Sequence, residues 1–151
     1  MRKIIDNFEE YIAALLFATM FIVLILQIIF RQIIEVPLIW SEELSTFLFV
    51  YVGMLGIVIG VKHTQHVAID IIYSRFLGGA KKVVDVLLSV VVIITLVTLT
   101  YIGIVVTKNK ASLEILTLGI SSAFMYMALP IGTTLMLIRF IENIVKGKKL
   151  F

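Results

Sequence analysis

The chain has 151 residues, 61% of them hydrophobic and 15% charged, with a mean hydropathy of +1.14. A water-soluble domain of this size leaves too much surface exposed to accommodate that composition, and the same figures exclude disorder and low-complexity linkers. The lack of cysteine rules out disulfide frameworks, thiolate metal sites and iron–sulfur clusters, and a net charge of +3 in so apolar a chain points to topology signals rather than nucleic acid.

Residues 3–12 put Ile5, Phe8 and Ile12 on one helical face, with Asp6, Asn7, Glu9 and Glu10 mostly elsewhere around it. That pattern predicts either an amphipathic lead-in at the cytoplasmic interface or the frayed first turn of the helix that follows. A bilayer core of about 30 Å needs roughly 20 apolar helical residues to cross it. Four uncharged runs meet the requirement: Tyr11–Phe30, Leu44–Val61, Val86–Thr107 and Gly119–Ile138. They lack the inside/outside alternation of barrel strands, so the expected fold is an all-α membrane protein of four transmembrane helices in a single domain spanning residues 1–151. The first run is too long for a signal peptide, acidic residues precede it and no small-x-small site follows, so it reads as a retained helix. Ten of the 13 basic residues fall in the N-terminus, the second connection and the C-terminus, which predicts both termini in the cytoplasm.

In the first connection Arg31 follows helix 1, Pro37 stops its continuation, and Trp40 suits a water–lipid boundary. Ser41 is placed to N-cap helix 2, with Glu42 and Glu43 in the first turn, where the helix dipole favours negative charge. That local physics accounts for both carboxylates; docking of a partner outside the cytoplasm is the competing reading, and an Arg31–carboxylate pair would be an exposed one of little worth. In the second connection Ile69, Ile72, Tyr73 and Phe76 form one apolar face and His66, Asp70 and Ser74 another, a short interfacial helix closed by Gly78 and Gly79. His63, His66 and Asp70 suggest a metal set, but no fourth ligand has suitable spacing, and polar contacts at the membrane surface explain them better.

Within the spans the informative feature is what they lack. Intramembrane ionisable residues usually mark proton relays, ion paths or substrate sites, yet every charged residue and both histidines lie outside the apolar runs or at their ends. A proton-coupled exporter, a haem protein and a quinone-coupled thiol oxidoreductase each need groups that the spans do not supply. The spans do carry packing chemistry. Gly53, Gly56 and Gly60 form a small-residue stripe on helix 2, suited to a close helix contact inside the bundle or with a partner. Helix 3 has Ser89, Thr95, Thr98, Thr100 and Thr107, and helix 4 has Pro130, which cannot donate to the Tyr126 carbonyl and so predicts a kink or a loosened turn.

Taken in order, the first helix ending near Arg31, the Trp40-Ser41-Glu42-Glu43 step, the helix 2 glycines, His66-Val67-Ala68-Ile69-Asp70, Ser121-Ser122 and Ala128-Leu129-Pro130-Ile131-Gly132 resemble the small membrane subunit of tripartite ATP-independent periplasmic (TRAP) transporters. The resemblance spans nearly the whole chain. It implies a bacterial inner-membrane complex for organic-acid uptake in which a periplasmic solute-binding protein captures a C4-dicarboxylate, sialic acid or another carboxylate. A large multi-spanning subunit would hold the substrate and sodium sites and move by an elevator-like step. The small subunit would be its scaffold in the lipid bilayer, without catalytic, cofactor, metal or substrate ligands of its own. Interface residues under that reading are Arg31, Trp40, Glu42, Glu43, Gly53, Gly56, Gly60, His66, Asp70 and Pro130. Competing readings are a self-sufficient small transporter or exporter and an assembly subunit of an unrelated membrane complex; an enzyme finds no nucleophile–base pair in the chain.

Overall fold

The computed structural model describes residues 7–63 and 80–145. Helix α1 (Phe8–Ile29) widens at its end into a π-helical turn, Phe30–Ile34. Helices α2 (Ile39–Lys62) and α3 (Ala80–Lys110) follow, then a two-stranded antiparallel hairpin, β1 (Glu114–Ile115) and β2 (Ile120–Ser121). The chain ends its described course in a short α4 (Ala123–Tyr126) and a long α5 (Ala128–Val145). Four helical stretches, residues 8–34, 39–62, 86–110 and 123–145, are long and apolar enough to cross a membrane, as the composition requires.

The helices stand in a row rather than a closed square. α1 packs on α2, α2 on α5, and α5 on α3, which makes α2 and α5 the central pair. The buried cluster sits between that pair and α3: Val58 and Val61 from α2, Leu96 from α3, Met136 and Phe140 from α5. Most other large apolar side chains of α1 and α3 are exposed, the arrangement expected where lipid or a partner helix, not water, lies against them.

The helical stretch of α1 ends at Ile34, ahead of Pro37, and two expectations are corrected at other helix ends. Residue 36 precedes a proline and is disfavoured in the helical region, and Glu35 takes the left-handed conformation (φ 57°) that turns the chain out. α2 begins at Ile39, two residues before Ser41, so Ser41 does not cap it; its hydroxyl donates to the Leu38 carbonyl (2.6 Å) from inside the first turn. The fourth span starts at Ala123 rather than Gly119 and runs to Val145. Gly119 instead holds the left-handed corner of the hairpin (φ 63°), the Ser122 N–H donates to Leu113 O (2.7 Å), and the Ser121 hydroxyl donates to Ala111 O (2.8 Å). An apolar count alone does not register those turn bonds, and the far end of the span, running on past Ile138 to Val145, takes in Arg139 and Glu142.

Pro130 behaves as expected. The fourth span is interrupted at Met127, one turn before the proline, where the Tyr126 carbonyl loses its donor. The described part of the predicted lead-in runs straight into α1. Its polarity is the reverse of a surface helix, with Phe8 exposed and Glu9 buried.

Candidate functional site

The expected interface residues are not gathered at one place. They divide between the hairpin end of the row, the middle of α2 and the α4–α5 break. His66 and Asp70, with the interfacial helix expected around them, lie outside the described residues.

At the hairpin end, Arg31 is exposed on the π-helical turn and enters no ion pair among the described residues. Trp40 is partly exposed in the first turn of α2, and Glu42 is exposed beside it. Glu43 ties the start of α2 to the hairpin tip, because its Oε2 accepts from the Thr117 amide (3.2 Å) and from the Thr117 hydroxyl. A second tie on this side is the Tyr51 hydroxyl, which donates to Phe124 O (2.5 Å). Between α2 and the hairpin lies an open groove of about 530 Å³, with Glu42, Glu43 and Glu114 among its lining residues.

In the middle of α2 the glycine stripe faces away from the chain's other described helices. A Cβ added at Gly53, Gly56 or Gly60 would meet nothing within 4 Å among the described residues. The close approaches inside the row belong to two other glycines. A Cβ on Gly103 of α3 would sit 2.9 Å from Pro130 Cδ and 3.0 Å from Pro130 N. One on Gly132 of α5 would sit 3.0 Å from Met54 Cβ. Pro130 is therefore a packing surface as well as a helix breaker. Between α3 and α5 the Thr100 and Thr133 hydroxyl oxygens lie 2.8 Å apart. Each hydroxyl also reaches the carbonyl one turn back on its own helix, Thr100 to Leu96 O (2.8 Å) and Thr133 to Leu129 O (2.9 Å), so one of the two donates across the pair and the other along its helix. Thr95, Thr98 and Thr107 bond back along their own helix as well.

The opposite end carries a constellation that sequence reasoning missed. Glu9 is 6% exposed, and its Oε1 accepts from Arg139 Nε (2.7 Å) with Arg139 Nη2 at the same distance. Glu9 Oε2 makes no hydrogen bond among the described residues and lies 3.8 Å from Lys62 Nζ. Lys62 Nζ donates to Glu10 Oε1 (2.9 Å) and Asn7 Oδ1 (3.1 Å), and His63 Nε2 is 3.0 Å from the same Glu10 oxygen. Arg139 also donates to Glu142 Oε2 (2.9 Å) from the next turn of α5. Buried Asn143 donates to Val61 O (2.8 Å), a carbonyl of the last turn of α2. The cluster joins α1, α2 and α5 through charge-assisted bonds at the end of the row opposite the hairpin. Its only sequence signal is the coincidence of unlike charges at three helix ends that the topology places together. Among the described residues no group of three or more metal-type ligands occurs. The arrangement is suited to holding helices, with an uncovered small-residue face on a central one.

The sequence matches the family described as "Tripartite ATP-independent periplasmic transporters, DctQ component" over residues 20–149. It is 35% identical over 150 residues to the sialic acid TRAP transporter small permease protein SiaQ of Vibrio cholerae, covering 99% of this chain and 87% of that protein. It is 40% identical over 141 residues to the sialic acid TRAP transporter permease protein SiaT of Haemophilus influenzae; there the match takes in 93% of this chain but only 23% of the longer protein. With the C4-dicarboxylate TRAP transporter small permease protein DctQ of Rhodobacter capsulatus it shares 28% identity over 110 residues, 71% of this chain and 48% of that one.

Proposed function

The chain belongs to the DctQ, or small permease, family of tripartite ATP-independent periplasmic transporters, and from that premise we propose that it is the non-transporting scaffold subunit of a sodium-coupled organic-acid importer. A component of a transporter, and not an enzyme, it is a multi-pass membrane protein. The proposal sets it in the bacterial inner membrane with the basic ends of its helices in the cytoplasm and the hairpin in the periplasm, following the asymmetry of its lysines and arginines. The large subunit is its partner in the bilayer and carries the substrate and sodium sites; a periplasmic solute-binding protein delivers the acid. A sialic acid is the favoured cargo because the relatives SiaQ and SiaT carry that name, with a C4-dicarboxylate as the next choice.

The observation that carries the scaffold role is the open glycine face of α2. Gly53, Gly56 and Gly60 stand on a central helix of the row, yet no described atom of this chain fills the space a side chain would occupy there. In lipid such a face offers a second helix a close backbone approach, where dispersion and weak interhelical bonds drive association. The match to part of a much longer permease, SiaT, supports a large membrane partner as the occupant.

Gly56→Leu is expected to lower copurification with the large subunit about tenfold while leaving the thermal stability of the isolated chain unchanged. Undiminished copurification would contradict the assignment of this face. Trp40→Ala combined with Glu42→Ala is expected to loosen the start of α2 and reduce assembly or uptake; normal values in both would remove that step from the interface. Transport by this chain alone, as a homo-oligomer, would favour the self-sufficient transporter instead.

A further inference from the structure

The fourth span is broken at Met127, and backbone groups freed at membrane depth need partners from the protein itself. An unbroken helix would give Phe124 O the amide of Ala128, four residues on. α4 ends instead at Tyr126, and the Met127 amide that closes it turns to Ala123 O and Met125 O, passing over Phe124 O. The donor that does reach this carbonyl comes from 73 residues away: it is the Tyr51 hydroxyl of α2, at 2.5 Å.

Tyr51 is held for that contact. Its ring packs on Phe47 one turn earlier, with centroids 5.0 Å apart. One turn before Phe47 stands Glu43, bonded to Thr117 at the hairpin tip. Positions 43, 47 and 51 recur every four residues and so share one stripe of α2. The hairpin and α4, which receive the two bonds, are themselves tied together: the Ser122 N–H donates to Leu113 O (2.7 Å) and the Ser121 hydroxyl to Ala111 O (2.8 Å). Backbone packing joins α4 to α3 and α5, and this stripe adds a tie from α2.

We propose that Tyr51 is a positioning residue: its hydroxyl stands in for the helical amide that Phe124 O has lost, and so sets the angle at which α4 and the hairpin leave α5. Phenylalanine would keep the ring and its contact with Phe47 yet strip the carbonyl of this donor, a costly state away from water. α4 would then turn about Met127 until another donor is found. The property required at position 51 is a hydrogen-bond donor at the far end of the ring, not aromatic bulk.

The test uses the full chain in lipid nanodiscs. Phe124-Met125 is the one Phe–Met step in the sequence, so phenylalanine labelled at the carbonyl carbon and methionine labelled at nitrogen isolate the Phe124 carbonyl by NMR. Tyr51→Phe is expected to shift that signal upfield, as loss of a hydrogen bond does. Replacing Tyr51 with para-aminophenylalanine, which keeps a donor in the same place, is expected to hold the signal near its wild-type position; para-methoxyphenylalanine, which keeps the oxygen without its proton, is expected to follow phenylalanine. The chain has no cysteine, so spin labels on Leu116→Cys and Val145→Cys, both exposed, read the angle across the break. Their distance distribution is expected to shift or broaden in Tyr51→Phe and to return with the amino analogue. An unmoved carbonyl signal, a moved signal with the distances unchanged, or an amino analogue that behaves as phenylalanine would each overturn the proposal.

Discussion

Gly103→Ala is expected to destabilise the isolated chain by about 1–3 kcal/mol, the usual cost of overpacking a well-filled contact. The added methyl would lie 2.9 Å from Pro130 Cδ, 3.0 Å from Pro130 N and 3.3 Å from Leu129 Cγ. A proline ring and a backbone nitrogen cannot swing aside, so α3 must move away from α5 and draw Leu96 out of the buried cluster. Gly53→Ala is the control, because a Cβ there meets nothing among the described residues. Thermal unfolding of both variants in detergent checks the contrast: equal midpoints would mean that α3 and α5 do not approach so closely. Gly103→Ala with Pro130→Ala is expected to recover part of the loss, since the ring carbon nearest the new methyl is gone.

The second large effect is expected at the opposite end. Glu9→Gln removes the charge that faces Arg139 in a site almost closed to solvent. Stranding one member of a buried ion pair costs about 3–5 kcal/mol, and the lower figure applies here because Glu142 still faces Arg139. The comparison that isolates the pair is Glu9→Arg with Arg139→Glu, which is expected to be more stable than either single reversal. Additive losses in that double variant would show that the two side chains do not interact. α1 has its main packing partner in α2, and this cluster is its ion-paired link to α5, so the single variants are also expected to loosen α1 first. Increased protease access near Asn7 would report it.

The four spans were legible because each is an unbroken apolar run of near-membrane length, a signal that survives without tertiary information. The Pro130 break was legible for an equally local reason. What escaped the sequence depends on which elements meet. The small-residue stripe of α2 invites a contact within the bundle, yet among the described residues the close glycine contacts between helices are at Gly103 and Gly132, one on each of two other helices. Glu9 reads as a solvated charge on an amphipathic turn until Arg139 is brought beside it from 130 residues away. Glu43 satisfies the helix-dipole rule at the start of α2, and that rule says nothing of its bond to Thr117 across the hairpin. The shift of the fourth span from Gly119 to Ala123 has a similar origin, since the turn bonds of the hairpin compete with helix formation in a segment apolar enough for either.

The scaffold role is tested most directly by uptake into liposomes reconstituted with this chain alone, with its large subunit alone, and with both, each with solute-binding protein and an inward sodium gradient. Uptake of the organic acid only when both membrane proteins are present is the predicted result. Sodium-driven accumulation by this chain alone would contradict it.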